Sequence, residues 1–170
     1  MNRLAASGLA LLMLVGCGVP ETGVAPPKSE LSFPVSISAH PDGRYLYIAN
    51  AVFDRGYNAG TIVVYDTWNH TTIGAATTDI GLLAGKFVLH DARRDEAGAI
   101  YGYAAIRDRG ALLQLQIDAA SESPASHLTE TERYSTFDDR DFAGDPYDIV
   151  VDDRGLLVTH LGPGTVSRWY

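Results

Sequence analysis

From residue 34 onward the apolar residues fall into short runs, each bounded by glycine, proline, asparagine or aspartate. The runs at 34–39, 46–50, 60–65, 99–106, 110–115, 146–151, 156–160 and 164–169 have the length of strands. Turn pairs such as Asp42-Gly43, Arg109-Gly110 and Arg154-Gly155 stand between them, and that punctuation predicts tight reversals. Thr71–Thr77 adds a fourth strand after the run at 60–65. No stretch of comparable length has apolar residues at helical spacing outside the first sixteen positions. The pattern therefore predicts an all-β chain of short antiparallel strands.

The runs also repeat. Pro34–Gly43 aligns with Pro146–Gly155, Leu46–Asn50 with Leu156–His160, and Gly60–Tyr65 with Gly164–Trp169. A middle copy supplies Gly98, the run Ala99–Ile106 and Gly110–Leu115. Glycines open the third run of each unit at 60, 110 and 164. A unit of about four strands recurring at this interval is the pattern of a β-propeller blade, in which radial repetition protects the sheet edges. A β-sandwich is the structural alternative, since it too strings short strands on turns at this spacing.

The stretch His40–Asn50 followed by Gly60–Asp66 resembles the YVTN and lactonase-like seven-bladed β-propellers. The resemblance implies a partial propeller of about three four-stranded blades over residues 31–170. The third copy stops at Tyr170, which matches Asp66 and leaves that unit without a fourth strand. Propellers close with four to eight blades, so the expectation is the front part of a longer protein, with a ring assembled from several copies as the rival. Residues 31–170 alone are expected to self-associate. The propeller likeness implies that the loops Asn50–Ala59, Arg107–Arg109 and His160–Pro163 gather on one face with 79–85 and 138–145. The turns near Asp42 and Asp153 belong to the opposite face.

Residues 1–16 form a separate unit. Arg3 is followed by the uncharged apolar stretch Leu4–Val15, twelve residues long, which suits an export signal and is too short to span a bilayer. Leu14-Val15-Gly16-Cys17 is similar to the lipobox of bacterial lipoproteins. That likeness implies cleavage before Cys17, acylation of its sulfur and new amino group, and residence in the cell envelope. Gly18 stands where an aspartate would signal inner-membrane retention in enteric bacteria, which favours the outer membrane in a Gram-negative source. Gly18, Pro20, Gly23, Pro26 and Pro27 make residues 17–30 a flexible linker, whose span from 18 to 30 would reach roughly 40 Å.

Charge and composition narrow the partners. Thirteen Lys and Arg stand against 21 Asp and Glu, so a nucleic-acid partner, which needs clustered basic residues, is not expected. The chain has one cysteine, which excludes an internal disulfide framework. Cleavage would remove Arg3 and no acid, taking the formal charge from −8 to −9.

Candidate chemistry is sparse. His160 replaces Asn50 at the equivalent position, putting an imidazole where the propeller reading has the channel mouth, although a loop-closing hydrogen bond explains it too. Arg107 and Arg109 flank Asp108 and suit an anion or an exposed turn. Asp139 and Asp141 belong to the acidic run 138–145, whose oxygens are calcium-type ligands. Ala143 occupies a ligand place of the EF-hand pattern and the closing glutamate is missing, so a solvated acidic loop is the simpler reading and no cofactor is required. Gly81–Lys86 is one residue short of a phosphate loop. Gly-x-Ser-x-Gly, His-Glu-x-x-His and Cys-x-x-Cys-His do not occur. The favoured function is a lipid-anchored, non-catalytic module binding an envelope protein or polymer. The alternative is an envelope enzyme, either a lactonase-like hydrolase or a redox protein with its cofactor domain beyond Tyr170.

Overall fold

A computed structural model describes residues 23–54, 56–94, 98–136 and 144–170. The export signal, Cys17, and the acidic positions Asp139 and Asp141 lie outside the described residues.

The chain is all-β and forms three antiparallel sheets. The first contains β1 (Pro34–Ala39), β2 (Tyr45–Asn50), β3 (Gly60–Asp66), β4 (Thr71–Thr72) and β5 (Thr78–Ile80). The second contains β6 (Ala84–Arg94), β7 (Ile100–Ile106), β8 (Ala111–Ile117) and β9 (Leu128–Ser135). The third contains β10 (Pro146–Asp152), β11 (Gly155–His160) and β12 (Thr165–Trp169). Each sheet meanders in chain order; β4 and β5 share the outer edge of β3.

The pairing registers define the repeat in space. Pro34 faces Asn50, Ala84 faces Ile106, and Pro146 faces His160. Across the next ladder Asn50 faces Thr61, Ile106 faces Ala111, and His160 faces Thr165. The same backbone bond closes each unit one residue further on: Ala51 N–H to Phe33 O, Arg107 N–H to Leu83 O, and Leu161 N–H to Asp145 O, at 3.1, 2.9 and 3.0 Å. The middle unit begins with alanine where the others begin with proline.

The second sheet lies between the other two, and this explains its sequence. Ile100, Ala104 and Ile106 on β7, with Leu113, Leu115 and Ile117 on β8, pack against Tyr47, Ala49, Ile62 and Val64 of the first sheet. The intervening residues Tyr103, Ala105 and Leu112 pack against Ile149, Leu156 and Val158 of the third. A strand covered on both faces reads as a continuous apolar run rather than an alternation, as Ala99–Ile106 does. On the uncovered faces of the outer sheets, Ile37, Val150 and Val166 remain exposed.

The three first strands lie side by side, β6 between β1 and β10. At the β1–β6 contact Ser36 Oγ accepts from Phe87 N–H at 3.0 Å, and Ser38 Oγ donates to Phe87 O at 2.8 Å. These hydroxyls serve Phe87, whose strand β6 is the edge of its own sheet, beside the register shift between Ala84 and Phe87. Lys86 Nζ bridges to Asp148 Oδ1 at 2.9 Å across the β6–β10 contact.

The repeated glycines have two physical origins. Gly110 and Gly164 have φ of 53° and 65°, the left-handed conformation that glycine adopts without penalty. At Gly60 the reason is proximity: a Cβ there would lie 2.5 Å from Gly81 O and 2.6 Å from Asn50 O. The fourth strand of the first unit is shorter than Thr71–Thr77, because the chain leaves β3 in a 3-10 turn at Gly74–Ala76 that buries Ala76 before β5 pairs again.

The segment before β1 is docked on the first sheet. Val24 forms a parallel bridge with Tyr57, and its carbonyl accepts from Asn58 N–H at 3.0 Å. Lys28 O accepts from Thr77 Oγ1, Ser29 O accepts from Thr72 Oγ1, and the Lys28 ammonium is paired with Asp79.

Candidate functional site

The connections β2–β3, β7–β8 and β11–β12 all lie at the same end of the sheets, called here the loop end. Gly81–Leu83 ties them together: Gly60 N–H and Val52 N–H donate to Gly81 O and Leu82 O, and Leu83 N–H donates to Asp108 Oδ1 at 2.9 Å. Asp145 completes the group through Leu161. The turns at Asp42 and Asp153 lie at the opposite end, since they join β1 to β2 and β10 to β11.

Arg107 is committed to this framework. Its Nε donates to Asp145 Oδ1 at 2.6 Å, its Nη2 reaches Asp145 Oδ2 at 3.4 Å, and its guanidinium stacks over Tyr147. The hydrogen bond from Asp145 holds the Arg107 guanidinium above its ordinary pKa, burial opposing it. The pair links the second sheet to the chain entering the third. Asp145 adopts φ of 60°, as Phe33 does at the matching position with 52°.

Arg109 stands differently. It is about half exposed, 3.5 Å from Asp108, and lines a cleft of about 530 Å³ with Asn58, Asp79, Arg133 and Ser135. Arg133 is itself paired with Glu130. A second cleft, of about 290 Å³, opens where β1, β6 and β10 meet, and Phe53, Lys86, Tyr147 and Asp148 line it.

Asn50 and His160 occupy equivalent places, yet neither opens into these clefts. They are 1% and 2% exposed: His160 shares the face of Leu156 and Val158 that packs on the second sheet, whereas Asn50 lies on the face of β2 opposite Tyr47 and Ala49. Asn50 Nδ2 donates to Thr61 Oγ1 at 3.0 Å, while its Oδ1 has no hydrogen-bond partner. His160 Nε2 lies 2.7 Å from Ser167 Oγ, which also accepts from Trp169 Nε1 at 2.8 Å. His160 Nδ1 is buried without a partner. A histidine beside a serine is the first half of a nucleophile–base arrangement, but here no third group orients the imidazole. The contact ties β11 to β12.

Another buried imidazole was not marked by any motif. His127, 4% exposed, sits under the first sheet with its Nε2 2.8 Å from Tyr47 Oη and Tyr45 edge-on at 4.7 Å. Burial, with His40 nearby, pushes its pKa down to about 4. Desolvation in the same place drives the Tyr47 phenol well above its usual range. Among the described residues no group of three or more His, Cys, Asp or Glu is placed to hold a metal ion, and no helix is long and apolar enough to cross a membrane.

The fold and its loop end thus define an all-β protein of three packed sheets with two open clefts. Comparison with protein families, with curated proteins and with solved structures finds no match.

Proposed function

We propose that this chain is an envelope lipoprotein, acylated at Cys17, whose sheets are blades of a β-propeller acting as a non-catalytic binding or scaffold module. The observation that carries the reading is the convergence of three equivalent strand connections, through Gly81–Leu83, Arg107 and Asp145, on one end with two solvent-open clefts. Side-by-side first strands support radial repetition, and the sequence Leu14–Cys17 supports the anchor. Arg109, among the described residues the cation least engaged by a counter-charge at this end, suits an acidic group on the partner.

The test has two parts. A fatty-acid analogue fed to cells should label the wild type, and Cys17→Ser should lose both label and cleavage. A photo-reactive residue at Arg109 or Leu161 should yield envelope adducts that the same residue at Asp42 or Asp153 does not. Equal adducts from both ends would refute the assignment of the binding face.

A further inference from the structure

We propose that the loop end faces the bilayer, with Phe33, Phe53, Tyr147 and Leu161 seated at the lipid–water interface. The inference rests on acylation of Cys17 and names the partner of the loop end as the phospholipid surface.

The first support is the length of chain between anchor and dock. Gly23 lies against Asn58 so closely that a Cβ there would be 2.7 Å from Asn58 N, and Val24 bridges Tyr57. Both partners belong to the β2–β3 connection. From Cys17 to Gly23 there are six Cα–Cα steps, which span no more than about 20 Å even fully extended. With acyl chains on Cys17, the tether fixes the β2–β3 connection within that distance of the interface. With the strands upright on the surface, the opposite end of the sheets is farther by the length of β3, seven residues or roughly 23 Å.

The second support is the surface within reach. Phe33, Phe53, Tyr147 and Leu161 are 47%, 53%, 47% and 50% exposed, and Val24 is 70% exposed. Phe33 and Phe53 meet edge to face at 6.4 Å. These residues come from four separate segments, and the connections described above bring them to one end. Aromatic side chains partition to the headgroup level of a bilayer, apolar body inward and polar tip outward. Three nearby ion pairs are already formed: Arg107 with Asp145, Lys86 with Asp148, and Lys28 with Asp79. Bringing this end to a lipid surface therefore leaves those ions with their partners. Toward the far end the large exposed apolar groups are Ile37, Val150, Trp68, stacked under Arg44, and Tyr170, and none of them belongs to the connection on which Gly23 docks.

The experiment uses the acylated full-length protein in phosphatidylcholine vesicles containing a lipid spin-labelled near its headgroup. Cys17 is the one cysteine and its thiol is consumed by the anchor, so a single introduced cysteine carries a fluorescent probe cleanly. Probes at Phe53→Cys and Leu161→Cys should be quenched at least about twofold more than probes at Asp153→Cys and Tyr170→Cys. Intact mass reports the anchor separately. A protein without acyl groups overturns the anchor and this proposal together. An acylated protein with equal quenching at both ends, or stronger quenching at the far end, overturns the orientation alone, and a protein partner occupying the loop end would give that result.

Discussion

Acid should unfold this protein through His127. The imidazole is buried between the first two sheets against Tyr45 and Tyr47, so it is neutral in the folded chain, with a pKa of about 4 against 6.5 when exposed. Because the folded value is depressed, the unfolded chain binds the extra proton. The stability tied to neutral His127 is fully present above pH 6.5 and is lost as pH falls toward 4. The shift of about 2.5 pKa units corresponds to about 3 kcal/mol over the whole window, and about 2.5 kcal/mol of that is gone at pH 4.5. Domains are stable by 5–15 kcal/mol, so the loss is a large share. Asp118, Asp42, His40 and Arg44 also act on the ring, hence the comparison must isolate His127. Urea unfolding of the protein and of His127→Gln, which keeps a polar partner for Tyr47 but does not titrate, should be followed by fluorescence at pH 7.5 and 4.5. The wild type should lose about 2.5 kcal/mol more than the variant between the two pH values. Equal losses would refute the reasoning.

Three further outcomes follow from the packing. Gly60→Ala should cost about 2–4 kcal/mol by urea unfolding, since its Cβ would meet two backbone oxygens that cannot swing aside, whereas Gly164→Ala should cost about 1 kcal/mol for its positive φ alone. Arg107→Ala should cost about 1–3 kcal/mol by leaving the partly buried Asp145 carboxylate unpaired, and Asp145→Asn should recover part of that loss in the double variant. Residues 31–170 in isolation should self-associate, because Ile37, Val150 and Val166 are exposed on strands of the outer sheets; a monodisperse monomer in sedimentation would contradict this.

The strands that the sequence marked carry local signals, among them the glycines at 60, 110 and 164 that open the third strands. Pro34 and Pro146 begin the first strands of the outer units, and runs such as Ala99–Ile106 belong to a sheet buried on both faces. β9 escaped notice because it is an outer strand: in Leu128–Ser135 only Leu128 is buried, so it carries no apolar alternation. β6 escaped because Ala84 stands where the other units have proline. The loop end was legible in outline, since strand order alone sends residues 50–59, 107–109 and 160–163 to one end. Side-chain burial was not: Asn50 and His160 close their strands almost wholly buried, which depends on the packing around each sheet. His127 lies in a polar stretch, and nothing local signals that Tyr45 and Tyr47, eighty residues away, will bury it. The docked segment 23–30 looked like pure linker because, apart from the Lys28–Asp79 pair, its hydrogen bonds are accepted by carbonyls, which every sequence possesses.

The anchor is the claim on which both the proposed function and the membrane orientation stand, and the mass of the N-terminal peptide of protein extracted from membranes tests it most directly. The account requires a peptide that begins at Cys17 and carries the mass of its acyl groups. A peptide that begins at Met1, or one that contains an unmodified Cys17, would contradict it.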